Sequence, residues 1–237
     1  MQRAVILFFL LAGCNVQPEA ELAAFGDSVT WGYGDLPGGW VRRLEAKSGY
    51  SVTNLAVPGE RADGAAGRID GALRTAPNAK TVFVLHGGND WILAWRGNWC
   101  KQSCEPAVVD NKYVHIGDHL RKIRATIARR EKRTVFLTYW PDDPTKFPQY
   151  DAATFALYQR HRLRLNAEIE RVAAENDDHV IHLDDLADFG SEGNFFDALH
   201  PSPQGYEKIA IRILADLASW VPDPPGPKDL LDFKPRL

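Results

Sequence analysis

Two short stretches, far apart in the chain, hold residues whose types suit bond-breaking chemistry. Gly26-Asp27-Ser28-Val29-Thr30-Trp31-Gly32 offers a serine hydroxyl just after a glycine that permits a tight turn. Asp197-Ala198-Leu199-His200-Pro201 offers a carboxylate three positions before an imidazole. A serine hydroxyl is a poor nucleophile until a neighbouring base takes its proton. Histidine titrates near neutral pH, so a neutral His200 ring can accept that proton and hand it on to a leaving alcohol. On a turn or short helical segment, the Asp197 carboxylate can fold back to one ring nitrogen and leave the other facing Ser28. The chain order Ser, Asp, His is one of several that reach this geometry. Such a relay predicts acyl transfer to Ser28, with a rate that rises from acid to neutral pH as the imidazole loses its proton.

These residues can meet only if the fold brings them together. Short apolar runs alternate with longer segments of helical period, the pattern of repeated βαβ units around a parallel sheet. The predicted strands are Leu22 to Phe25, Val52 to Ala56, Thr81 to His86, Thr134 to Tyr139 and Val180 to Leu183. Each is nearly continuous in apolar residues, as suits strands covered on both faces. The predicted helices are Trp40 to Lys47, Ala62 to Leu73, Tyr113 to Glu131, Thr154 to Glu175 and Pro203 to Trp220. In an open parallel sheet the ligand crevice lies beyond the carboxyl ends of the strands. Three stretches bear on it: Gly26 to Gly32 follows the first predicted strand, Asn54-Leu55-Ala56-Val57-Pro58-Gly59 closes the second, and Gly87-Gly88-Asn89-Asp90 follows the third.

Each fragment alone is a weak signal, but their joint order, from about Phe25 to Tyr206, resembles the SGNH, or GDSL, hydrolase family. The departure is at Val29, where the family carries Leu, a side chain that does not react. The resemblance implies an α/β fold, a three-layer α/β/α sandwich with a central five-stranded parallel sheet of flavodoxin-like type. It also implies an ester hydrolase with Ser28 as nucleophile, Asp197 and His200 as relay, and no metal or organic cofactor. The implied oxyanion hole consists of the backbone N–H of Ser28, the backbone N–H of Gly59 and the side-chain amide of Asn89. Glycine at 59 would let the peptide approach the reacting carbon closely. Asp27 and Asp90 are expected to hold the loops by capping or turn hydrogen bonds. Family members include carbohydrate acetylesterases, lysophospholipases and thioesterases, and the sequence does not choose among them. A non-catalytic envelope lipoprotein using the fold as a binding module, and a metal-dependent hydrolase, are the alternative readings.

The ends of the chain bear on location. Arg3 precedes an apolar run, Ala4 to Ala12, shaped like an export signal and too short to span a bilayer. Leu11-Ala12-Gly13-Cys14 resembles the lipobox of bacterial lipoproteins, which implies removal of residues 1–13 and lipidation of Cys14, with 14–20 as anchor and linker. An ordinary signal peptide with an incidental Cys14 is the alternative. Asn15 in place of the retention letter Asp favours an outer-membrane destination. The expectation is an exported, lipid-anchored chain at the bacterial envelope, taking a small-molecule, polysaccharide or lipid ester, and monomeric. Export would put Cys100 and Cys104 in an oxidising compartment and predicts a small disulfide loop, two free thiols being the alternative. Residues 21–220 then form one hydrolase domain, and the Pro-rich 221–237 a tail that cannot continue a helix.

Of the 237 residues, 45% are hydrophobic and 25% charged, which is globular usage. A net charge of −3 without a long basic run argues against a nucleic-acid partner. Trp91, Trp95 and Trp99 recur at helical spacing, as either an aromatic wall for a ligand or a stripe that packs a loop. His115 and His119, with Asp118 between them, fit a solvated helix face better than a metal site. His86 is expected to be buried and hydrogen-bonded near the site.

Overall fold

The computed structural model describes residues 21–35, 38–96, 106–186 and 188–220. Cys14, Trp99, Cys100, Cys104, the expected leader and the 221–237 tail lie outside the described residues. Five strands form one sheet: β1 (Leu22–Gly26), β2 (Val52–Asn54), β3 (Thr81–Leu85), β4 (Arg133–Leu137) and β5 (His179–Ile181). Their order is β2-β1-β3-β4-β5 and every pairing is parallel. This is the doubly wound arrangement, whose direction of winding reverses between β1 and β3. Seven helices are described: α1 (Ser28–Trp31), α2 (Gly39–Ser48), α3 (Ala62–Leu73), α4 (Gly88–Arg96), α5 (Pro106–Arg129), α6 (Ala152–Ala174) and α7 (Pro203–Trp220). α2 packs on α7, and α3 packs on α5, which in turn packs on α6. None of the described helices is long and apolar enough to cross a membrane.

Burial explains why the strands read as apolar runs. All five residues of β1 and of β3 are buried, with Ala23, Ala24, Phe25, Val82 and Phe83 at 0% exposure. Helices cover both faces, so the polar strand residues are few and fall mainly at strand ends, such as Asn54, Thr81, Arg133 and His179. Trp40 of α2 is fully buried and meets the Phe83 ring edge-on at 5.9 Å, joining one helical layer to the middle of the sheet.

Several boundaries differ from the sequence reading, and two strand ends do so for a local reason. β2 ends at Asn54, not Ala56, because the Asn54 side chain accepts from the Ala56 N–H at 3.0 Å and turns the chain. Beyond that turn the Leu55 and Val57 N–H groups still donate to Ala24 and Gly26 O, so the loop remains tied to β1. α5 begins seven residues before the predicted Tyr113. β5 begins at His179 and ends at Ile181 rather than Leu183, because the Leu183 N–H donates to the Thr138 hydroxyl at 2.8 Å instead of to a strand. α1 is too short to show a period in sequence, and of α4 only the Trp91 and Trp95 spacing was visible there.

Register decides where the loops emerge. Gly26 lies opposite Leu85 and Ala24 opposite Asn54, so the segments after β1, β2 and β3 leave the same edge of the sheet side by side. Trp40→Ala would leave a void between α2 and β3. It is expected to cost about 3–5 kcal/mol of unfolding free energy, read as a lower urea midpoint at unchanged slope.

Candidate active site

Ser28 is the first residue of α1, which the N-cap Asp27 starts by accepting from the Val29 N–H at 3.0 Å. Gly26 stands just before it because an added Cβ would lie 2.1 Å from the Thr30 hydroxyl oxygen and 3.0 Å from Leu85 O. The Ser28 turn is thus wedged against β3.

His200 and Asp197 arrive on a closed loop between β5 and α7. The Phe196 N–H donates to His200 O at 2.9 Å, the Ser202 N–H to Asn194 O at 2.8 Å, and the buried Asn194 amide to Asp188 O and Phe189 O. Tyr206 of α7 donates to Tyr33 O at 2.9 Å, and the Tyr33 ring lies 4.5 Å from the His200 ring. The late loop is therefore fastened to the segment that follows Ser28.

The sequence-predicted relay residues come together. His200 Nδ1 lies 2.9 and 3.0 Å from the two Asp197 carboxylate oxygens, which assigns the ring proton to Nδ1. Nε2 then accepts from the Ser28 hydroxyl at 2.9 Å, across 172 positions of sequence. Asp197 Oδ1 also accepts from the Leu199 and His200 N–H groups, each at 2.8 Å. Partial burial pushes the Asp197 carboxyl up, but the His200 ring and these two amides together outweigh it and hold it at about 2.

The expected oxyanion donors lie on the neighbouring loops, and Ser28, Gly59 and Asn89 all line one cavity of about 360 Å³ together with His200. Two details add to the sequence reading. Gly59 has φ +75°, and an added Cβ would meet nothing within 4 Å, so backbone conformation rather than crowding within the protein calls for glycine there. The Asn89 amide donates to Asp27 Oδ2 at 3.1 Å and to Glu60 O at 3.0 Å, so both of its protons are engaged in the free protein.

Asp27 is 3% exposed. Burial pushes its carboxyl up, the Val29 N–H and the facing His200 pull it down and Asp90 pushes it up again, with a net rise to about 6. Asp90 accepts from the Ala62 N–H at 2.8 Å and so caps α3, as expected of a loop-holding residue. Sequence reasoning missed Glu60, which accepts from Arg68 at 2.7 and 2.6 Å beneath the Gly59 loop, while Arg68 also reaches Leu55 O and lies over the Phe25 ring. His86 is buried as expected, but its ring nitrogens have no hydrogen-bond partner, which corrects the expectation of a bonded ring. Burial, reinforced by the nearby Arg68, drops it to about 3 and keeps it neutral.

Sequence reasoning also passed over the segment after β4. Tyr139, Trp140 and Asp142 line the cavity, and the strand-end rule applied to Tyr139-Trp140-Pro141-Asp142 was the available signal. Trp91 combines the two readings of the tryptophan stripe: it is 4% exposed, packs on Tyr158 with ring centroids 4.8 Å apart, and still borders the cavity. Trp95 falls within α4. His115 is exposed and Asp118 pairs with Arg121 at 2.7 Å, away from the cavity lining. Among the described residues, Glu170, His182 and Asp184 bring ligating atoms within 4.8 Å of one another, and none of them borders the cavity.

Comparison with known proteins agrees with this geometry. None of the curated proteins searched by sequence matches the chain. Solved structures do. A member of the lipolytic protein G-D-S-L family from Veillonella parvula is 22% identical, with 83% of this chain and 97% of that one covered at a TM-score of 0.63. The lipase Lip_vut3 from a goat rumen metagenome is 17% identical, covering 83% and 96% at a TM-score of 0.65. The acetyl xylan esterase AlAXEase is 13% identical, covering 83% and 99% at a TM-score of 0.62. At these identities the likeness is one of fold. The family model described as GDSL-like Lipase/Acylhydrolase matches residues 24–208, which include every residue of the relay and of the cavity lining, and the chain therefore belongs to that family of ester-bond hydrolases.

Proposed function

We propose that the chain hydrolyses carboxylic esters through an acyl-enzyme on Ser28. The observation that carries this is the unbroken line of hydrogen bonds from the Asp197 carboxylate through the His200 ring to the Ser28 hydroxyl, opening on a cavity. Ser28 Oγ attacks the ester carbonyl carbon as its proton passes to His200 Nε2. The bond to the alcohol then breaks, and the imidazolium gives the proton to the departing oxygen. Water attacks the acyl-serine, again losing a proton to Nε2, and the acid leaves with the serine hydroxyl restored. Asp197, held at about 2, stays ionised from acid to alkaline pH and favours the imidazolium formed at each transfer.

Negative charge on the former carbonyl oxygen falls to the N–H groups of Ser28 and Gly59 and to the Asn89 amide. Asn89 contributes by turning one proton from Asp27 or Glu60 O toward that oxygen. The reaction as written uses no metal or organic cofactor. The intact relay argues for hydrolysis over a pure binding role. A cavity of about 360 Å³ is at the small end of ligand sites and favours a short acyl group or a single ring over a long chain. The apolar run ending in Cys14 supports export and lipid anchoring at the envelope, where acetylated polysaccharides and lysolipids are both at hand.

With a chromogenic acetyl ester, Ser28→Ala and Asp197→Asn are each expected to lose on the order of 10⁴ in kcat. Asn89→Ala should lose on the order of 10²–10³. Equal rates for the parent and Ser28→Ala would end the proposal.

Asp27 adds a pH dependence of stability whose sign is opposite to that of a salt-bridged carboxylate. Its carboxyl rises from the ordinary 3.8 to about 6 on folding, so the folded chain binds this proton more tightly than the unfolded chain. The stability it brings is fully present below about pH 4 and is lost as pH rises through about 6. Asp27→Asn removes that window. Between about pH 4 and pH 7 the Tm of the parent should change less favourably than that of Asp27→Asn, by calorimetry, and parallel profiles would place this titration elsewhere.

A further inference from the structure

The segment that follows β4 is fixed by one face of α6. Asn166 accepts from the Tyr139 N–H and donates to Tyr139 O, both at 2.8 Å. Arg162 donates to the same carbonyl at 2.9 Å and to the Gln159 side-chain oxygen at 3.0 Å. The Gln159 amide then donates to Asp142 Oδ2 at 2.9 Å. Positions 159, 162 and 166 lie three and four apart, one above another on the helix. Arg162 and Asn166 are 6% and 2% exposed, so this is an interior scaffold rather than a surface network.

What the scaffold presents is a carboxyl group in the wall of the reaction cavity. Asp142 is 7% exposed and lines that cavity beside Trp140, Tyr139 and Trp91. Its Oδ2 is taken by Gln159, while Oδ1 has no side-chain partner among the described residues. Arg162 spends its Nε and Nη1 protons on Gln159 and Tyr139 O, so an amide rather than a cation holds the acid. Burying a carboxyl without a paired cation is costly, and a wall meant only to exclude water would be more stable without one. Burial, opposed by Gln159 and Arg162, pushes this group up to about 7. Near neutrality both its forms are present, one accepting from a hydroxyl and the other able to donate to it.

From this juxtaposition we infer that Asp142 is a specificity-determining residue that binds a hydroxyl group of the substrate, and that the favoured ester is a partly acylated sugar. Trp140 and Tyr139 supply the apolar walls for the ring's C–H surface, and Asp142 with Gln159 supplies the polar anchor. An alkyl or long-chain ester would leave the carboxyl desolvated and unmatched, which is the usual basis of strong discrimination. This inference rests on Ser28-dependent ester hydrolysis, and it concerns only which esters are taken.

The test uses the purified full chain, Asp142→Leu and Asp142→Asn, with Ser28→Ala as the blank. The substrates are a mono-acetylated xylose, which keeps free hydroxyls, and 4-nitrophenyl acetate and hexanoate, which have none. The readout is the ratio of kcat/KM for the sugar ester to that for nitrophenyl acetate. Asp142→Leu should lower this ratio at least about tenfold, mainly through KM, and raise the relative rate on hexanoate. Asp142→Asn, which still bonds a hydroxyl, should recover most of the ratio. A fall of both esters in equal proportion, in both variants, would assign Asp142 a structural role and overturn the inference. So would a parent enzyme that cleaves nitrophenyl acetate through Ser28 but ignores the sugar ester, an outcome that leaves the hydrolase reading standing. Rates for Ser28→Ala equal to the parent on every ester would remove both.

Discussion

The parallel pairing of β1 with β2 on one side and β3 on the other is the constraint on which the site depends. With Gly26 opposite Leu85 and Asn54 opposite Ala24, three loops leave the sheet at one level and their first residues can touch. Asn89 then reaches both Asp27 and Glu60 O, and Asp90 reaches the start of α3. A slip of one residue in either pairing would move a loop by more than 3 Å and turn its side chains to the other face. None of these contacts would survive it. The apolar strands and the helices that cover them thus fix the chemistry indirectly, by excluding every register except one.

The late loop faces a different problem, since no strand pairing brings it to Ser28. It is rigid in itself through Asn194 and the backbone bonds around His200, and it is fastened through Tyr206 to the stretch after α1. Within this frame two aspartates have opposite fates. Asp197 is partly solvated and meets a ring N–H and two amides, so its charged form wins. Asp27 is enclosed, with His200 and the Val29 N–H only partly offsetting the loss of water. The second carboxylate holds the Ser28 turn and Asn89 together, at a cost in stability that the first does not incur. A site that keeps such a group carries strain of solvation where it needs geometry.

The fold was legible because burial leaves the strands largely apolar, β1 and β3 above all, and because the five long helices carry a helical period. The relay was legible because a serine after a strand-end glycine and an Asp-x-x-His are local patterns. What escaped was set through space. The short α1 carries too few residues for a period. The end of β2 depended on one asparagine side chain, and the lack of a hydrogen bond at His86 on how its neighbours lie, Glu60 Oε2 being 3.7 Å from Nε2. At Gly59 the positive φ, which calls for glycine without any crowding from the protein, carries no mark in sequence. Asp142 escaped because the strand-end rule marks its segment and not the residue itself. Its environment is made by Gln159, which is 17 positions away on another element.

That last omission points to how the molecule divides its work. The residues proposed to react stand on loops after β1, β2 and β3 and on the late loop, while a further part of the cavity wall comes from the segment after β4. The wall is anchored not by the sheet but by Asn166, Arg162 and Gln159, side chains of a helix that contributes nothing to the relay. The bonds to the Tyr139 backbone hold the wall without help from the Trp140 side chain, whereas Gln159 bonds the Asp142 side chain itself and the Tyr139 hydroxyl accepts from the Gly88 N–H at 2.9 Å, beside Asn89. Chemistry and selection are thus placed on different elements that meet at Tyr139. Such a division lets one fold keep a single ester-cleaving device and change what is offered to it, which is the sense in which function lies in sites placed on a fold rather than in the fold itself.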